Sequence, residues 1–174
     1  MSTLKSINVQ HPSATTINIV NDSSGNVTVG NNLTVTGTTT LTGTSSHTGA
    51  STFSSTVGIT GNTTLGSYSE TVVAIGTVTT ANTLSLATGT VQTATLTAST
   101  ACTFTMPTAT AGKSFILLLK QAAATGNGTA TFTGVKWNSS GAPTITATAG
   151  KMDILTFVAD GTNWYGSYSQ GYTP

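Results

Sequence analysis

Residues 25–66 read GNVTVG, NNLTVT, GTTTLT, GTSSHT, GASTFS, STVGIT, GNTTLG when cut every six positions. The fifth position is Val29, Val35, Leu41, His47, Phe53, Ile59 and Leu65, apolar in every hexad except the one with His47. The first position is Gly25, Asn31, Gly37, Gly43, Gly49, Ser55 and Gly61, and nearly everything else is Thr or Ser. A fixed short period describes a chain that advances by one identical step per repeat. In extended backbone, side chains alternate between faces, so positions three and five share a face. Position three is Val27, Leu33, Thr39, Ser45, Ser51, Val57 and Thr63, which makes the second stripe small or β-branched except at Leu33. The Gly, Asn or Ser at position one permits a corner, and Thr elsewhere suits extended backbone because its branched Cβ is stiff.

Two architectures satisfy this pattern. One is a single-chain left-handed β-helix with three hexads per coil, for which the segment supplies only about two coils. The other winds three chains together, one hexad per chain in each layer, so that the fifth-position residues meet on a three-fold axis. Burying one Val, Leu, Ile or Phe side chain contributes roughly 1.5–3 kcal/mol. A lone chain leaves much of the stripe in water and three chains bury it, so the trimer is favoured. Its expected core is Val29, Val35, Leu41, His47, Phe53, Ile59 and Leu65.

Composition narrows the function classes. Of 174 residues only 5% are charged and the net charge is +1, against a usual charged fraction of about 25%. Lys5, Lys113, Lys120, Lys136 and Lys151 are scattered and Arg is absent. Neither nucleic acid nor an anionic membrane has a basic patch to bind. So few charges suit a chain that lives within a large assembly. Cys102 is the single cysteine, which precludes an intrachain disulfide and reads as a small buried hydrophobe. Residues 1–20 lack the apolar run of a secretion signal. The longest apolar run, Phe115–Leu119, falls far short of the ~20 residues of a membrane helix. Asn-x-Ser/Thr sequons, such as those at Asn21, Asn26, Asn32, Asn62 and Asn138, are what an Asn/Thr-rich chain contains by chance.

Three regions follow. Residues 1–24 form an N-terminal attachment segment, with strand-like Leu4–Val9 broken at His11–Pro12. Residues 25–66 are the hexad stalk. Residues 67–174 read as an all-β domain with candidate strands Thr71–Thr79, Thr83–Ala87, Val91–Ala98, Cys102–Met106, Ser114–Gln121, Ala130–Val135, Thr144–Ala147, Met152–Ala159 and Trp164–Ser169. Turn signals between them predict a β-sandwich or jelly roll, and Asp160–Gly161 predicts a hairpin turn. In FILLL, Phe115, Leu117 and Leu119 share one face while Ile116 and Leu118 share the other. A sandwich strand needs one buried face. The second is expected to lie beneath a loop or between subunits.

Little here can carry chemistry. The carboxylates are Asp22, Glu70, Asp153 and Asp160. Asp22 and Asp160 have turn explanations, Glu70 sits at the stalk junction, and Lys151 with Asp153 reads as a surface pair. Nucleophile and phosphate-loop motifs are absent, so no catalytic residue and no cofactor is expected. His47 occupies a core slot of the repeat. In a trimer three imidazoles would converge and could hold a metal ion, an anion or water; the plainer reading is a neutral, water-bridged His with no metal. Trp137, Trp164, Tyr165, Tyr168 and Tyr172 cluster toward the C-terminus. Such aromatics can stack on sugars as a receptor face, or simply pack a core or interface.

The chain resembles structural proteins of tailed bacteriophages. The resemblance lies in the leader LKSINVQHPSATTINIVNDSSGNVTVG, in hexads such as NNLTVTGTTTLTG, and in the tail TAGKSFILLLKQ followed by VKWNSSGAPTITATAGKMDILTFVADGTNWYGS. The leader is similar to that of cyanophage fibre-like proteins. The tail is similar to a C-terminal β-domain shared by phage fibres and head-decoration proteins. The resemblance implies a trimeric, non-enzymatic protein of the virion outer surface. One role is a capsid decoration or cement protein that binds the major capsid protein and stabilises the head. The alternative is a short tail fibre that attaches to a tail protein and binds a host-surface glycan. Fibres usually carry longer stalks and separate adhesin domains, so the capsid role is the leading expectation. A glycan-degrading tailspike would need spaced acidic residues in a long β-helix, and these are missing.

Overall fold

The computed structural model describes residues 32–174. The N-terminal attachment segment 1–24, with His11 and Asp22, and the hexad position Val29 lie outside the described residues. Among those described there is no helix, and the chain is all-β. It divides between Thr60 and Gly61, six positions before the boundary read from the hexads.

In the unit that ends at Thr60, the described hexads contain no strand and every side chain is exposed. Leu33, Val35, Leu41, Phe53, Val57 and Ile59 all stand in water, Leu41 at 67% and Phe53 at 69% exposure. The single-chain β-helix would have buried this stripe against neighbouring coils. No such coil forms between residues 32 and 60.

The second unit, Gly61–Pro174, is a β-solenoid closed by a hairpin. Its strands are β1 (Val72–Val78), β2 (Ala81–Thr83), β3 (Val91–Leu96), β4 (Ala101–Thr105), β5 (Ser114–Lys120), β6 (Thr129–Thr133), β7 (Val135–Lys136), β8 (Met152–Ala159) and β9 (Trp164–Tyr172). The chain climbs through three coils, β1–β2, β3–β4 and β5–β6. Their first strands stack in parallel in one sheet and their second strands stack in parallel in another. Val72 pairs with Val91 and Val91 with Ile116 in the first sheet; Thr103 pairs with Ala81 and with Thr131 in the second. A parallel pair requires a long crossover, and here the strand of the facing sheet provides it. Strands β8 and β9 extend the larger sheet as an antiparallel hairpin on β5, and β7 closes its far edge in parallel with β9.

The β-sandwich or jelly roll expected for residues 67–174 is not shown; the unit is a solenoid of three coils. Two sheets do face one another across a core, but they are solenoid walls joined in parallel. Thr144–Ala147 is not a strand, the expected strand Thr83–Ala87 shares only Thr83 with β2, and the other candidates hold to within a few residues.

Alternation selects what faces the core. Ala94 and Leu96 of β3, Phe115, Leu117 and Leu119 of β5, and Leu155, Phe157 and Ala159 of β8 point inward from the larger sheet. They meet Leu84, Cys102, Phe104 and Met106 from the other wall. Phe104 stacks on Phe132 of the next coil at 5.3 Å between centroids, and Phe115 stacks on Phe157 at 4.7 Å. Phe132 bridges the walls to Phe157 at 5.7 Å.

The connections are fastened by polar side chains. Gln121 donates Nε2–H to the Gly128 carbonyl at 2.7 Å and accepts the Gly128 N–H on Oε1 at 2.9 Å, clasping the loop of the third coil. At the predicted hairpin, Asp160 Oδ1 accepts the N–H groups of Thr162 and Asn163, both at 2.7 Å, and Gly161 takes φ of +103°.

Candidate functional site

The two outer walls of the solenoid are chemically different. On the smaller sheet the outward residues are Ala81 and Thr83, then Ala101, Thr103 and Thr105, then Thr129, Thr131 and Thr133, all exposed. Thr131 donates its hydroxyl hydrogen to Thr103 across the coil step at 3.2 Å. This wall is a threonine ladder that water wets easily. The larger sheet presents Val72, Val91, Ile116, Leu118, Ile154 and Val158 outward instead, with Thr93 and Thr156 among them. Ile116 and Leu118, on the second face of FILLL, are half-buried.

The hexad positions Val35, Leu41, Phe53, Ile59 and Leu65 are all exposed on the single chain. His47 is exposed too, and its Nε2 lies 3.0 Å from Ser45 Oγ.

The C-terminal aromatics divide by environment. Trp164 is in the core, edge-on to Phe115 at 5.2 Å, and its indole N–H donates to the Pro107 carbonyl at 2.7 Å. It has no surface to offer a receptor, which corrects its place among the candidate contacts. Trp137 is half-buried, lying over Gly166 and edge-on to Phe157 and Tyr168 at 6.0 and 5.9 Å. Tyr168 packs against the same core. Tyr165 and Tyr172 are exposed.

The described carboxylates, Glu70, Asp153 and Asp160, each accept hydrogen bonds within the fold. Asp160 accepts the Asn163 and Thr162 N–H groups and the Tyr165 hydroxyl, and these hydrogen bonds hold it below the usual carboxylate range. The same contact pushes the Tyr165 hydroxyl up. Glu70 accepts the Thr90 hydroxyl. Asp153 overturns the surface-pair reading with Lys151. It is 1% exposed, its Oδ1 accepts Gly171 N–H at 2.9 Å, and its Oδ2 accepts Thr146 N–H at 2.8 Å and Gln170 Nε2–H at 3.1 Å. Lys151 instead donates to the Thr173 hydroxyl. The signal for this clamp was present in the alternation, because Asp153 is in phase with Leu155, Phe157 and Ala159. Gln92 shares the phase of Ala94 and Leu96, and Gln121 that of Leu117 and Leu119; both are buried as well.

Cys102 is buried, and desolvation pushes its thiol up. Among the described residues no three His, Cys, Asp or Glu side chains group to hold a metal ion, and no pocket is present. The surfaces with unexplained chemistry are thus the hexad stripe and the apolar wall of the larger sheet. Compared with known proteins, the chain matches no family model, no curated protein and no solved structure.

Proposed function

We propose that the protein is a non-enzymatic structural component of the outer surface of a tailed-bacteriophage particle. Three chains associate through the hexads. The trimer decorates the head, binds the major capsid protein and stabilises the shell. The observation that carries the assembly is the exposure of Val35, Leu41, Phe53, Ile59 and Leu65, spaced at multiples of six residues on a segment without strands. A regular apolar stripe in water is unfavourable for a lone chain, and each side chain buried against a partner recovers roughly 1.5–3 kcal/mol. The particle and its head are carried by the sequence resemblance of the leader, hexads and C-terminal tail. The exposed rings of Tyr165 and Tyr172 favour a second reading, a short tail fibre that attaches to a tail protein and stacks these rings on host-surface sugars.

Imaging intact particles with a labelled C-terminal tag separates the two. Label spread over the head supports the decoration protein, whose removal should lower the temperature at which heads release DNA. Label confined to the tail overturns it in favour of the fibre. Particles that carry no label overturn both.

A further inference from the structure

The outer face of the larger solenoid sheet carries Val, Ile and Leu where the opposite wall carries Ala and Thr, and its register can be read strand by strand. One row runs Val72, Val91, Ile116, Thr156, Ser167 and the next runs Ala74, Thr93, Leu118, Ile154, Ser169. Neither row contains a charge. Val158 and Tyr165 adjoin the first row. Lys120 and Lys136 appear only in the rows outside these two. The opposite wall of the same unit is all Ala and Thr on its outer side. Both walls share one backbone architecture, so strand propensity does not account for the difference, and a face rich in Val, Ile and Leu in water calls for a partner.

We infer that this face is covered by the same face of the other two copies, so that the solenoid contributes its own interface to the three-chain assembly. The inference rests on the three-chain reading of the hexads. Two observations select a second copy as the occupant. The tether from Leu65 to Val72 reaches at most about 25 Å, so three chains joined at Leu65 hold their solenoids together at an effective concentration in the millimolar range. The two central rows carry no charge, so identical faces meet without repulsion and offer nothing that would select a charged partner.

The test is thiol accessibility in the full chain. Single cysteines are placed at Val72 or Val158, which are 59% and 52% exposed on one chain, and at Thr131 on the threonine wall. All are mild changes at exposed positions. Cys102, buried in every variant, is a shared background. Maleimide labelling is followed by mass spectrometry and oligomer mass by light scattering. The expected result is a three-chain mass with V72C and V158C labelled at least about tenfold more slowly than T131C. A three-chain mass with all three labelled at one rate overturns this interface and leaves the hexad reading standing. A single-chain mass overturns both. Equal rates in the isolated protein with slowing of V72C and V158C only on assembled particles overturns the second copy and assigns the face to a shell protein.

Discussion

Asp153 does at the residue scale what no apolar side chain at its position could. Its two oxygens satisfy Thr146 N–H, Gly171 N–H and the Gln170 amide, and so tie the end of β9 and the loop before β8 to the core. Removing the carboxylate takes the acceptor from two part-buried backbone donors, Thr146 N–H and Gly171 N–H. Asp153→Ala should cost roughly 2–4 kcal/mol, read from denaturant unfolding by fluorescence of Trp137 and Trp164; a change within error would show that water replaces the carboxylate without loss. Asp160 is the opposite case, a carboxylate fully at the surface whose hydrogen bonds depress its pKa. A folded-state pKa below the unfolded value contributes stability that is present above the unfolded pKa and lost as pH falls through the folded one. Asp160→Asn should therefore melt below the parent at pH 7, and the gap should narrow as pH falls below about 4. A gap that stays constant from pH 7 to pH 2.5 would rule out the ionised carboxylate as its source.

At the scale of elements, the solenoid depends on close approach at its connections. A Cβ on Gly128 would come 2.7 Å from the Leu96 Cβ and 2.9 Å from the Thr97 carbonyl oxygen. Neither neighbour can give way without moving the second coil. Gly128→Ala should destabilise the unit by about 1–3 kcal/mol, again by denaturant unfolding, and an unchanged midpoint would mean the coil step is softer than its geometry. The hexads obey another logic, since the energy of their stripe is realised between chains. Leu41→Asp places three like charges at one buried layer, which is prohibitive unless they are neutralised. Light scattering should report single chains for this variant. A mass still equal to three chains would sink the intertwined stalk.

For the whole molecule, the relevant property is that both walls close on one core. Cys102 lies between them, buried and with its thiol pushed up. Its reaction with a thiol reagent should be negligible in the native protein and become fast only as the walls separate in denaturant. The labelling curve should overlay the loss of tryptophan fluorescence, because Trp164 belongs to the same core. Labelling well before the fluorescence change would reveal that the coils open separately from the hairpin.

Much of this was legible from residues. The period-two alternation in FILLL assigned Phe115, Leu117 and Leu119 to one face and Ile116 and Leu118 to the other, and both faces are as read. Asp160–Gly161 marked the β8–β9 hairpin because an Asx side chain followed by Gly builds that turn from local bonds alone. The hexads declared themselves by spacing. Partner choice between strands was not legible. Alternation is identical in parallel and antiparallel ladders, so nothing local in Val91–Leu96 distinguishes a sandwich strand from a solenoid rung. The same alternation put Asp153 in phase with the core, but an acid in that slot is stable only where the fold delivers Thr146, Gln170 and Gly171 to receive it. By itself, then, the sequence determined most strand positions, the two faces of FILLL, the hairpin and the repeat, since each follows from contacts between chain neighbours. The parallel coiling, the burial of Asp153 and the contrast between an apolar and a threonine wall were decided only by tertiary structure, because each depends on residues far apart in the chain that only the completed coils bring together.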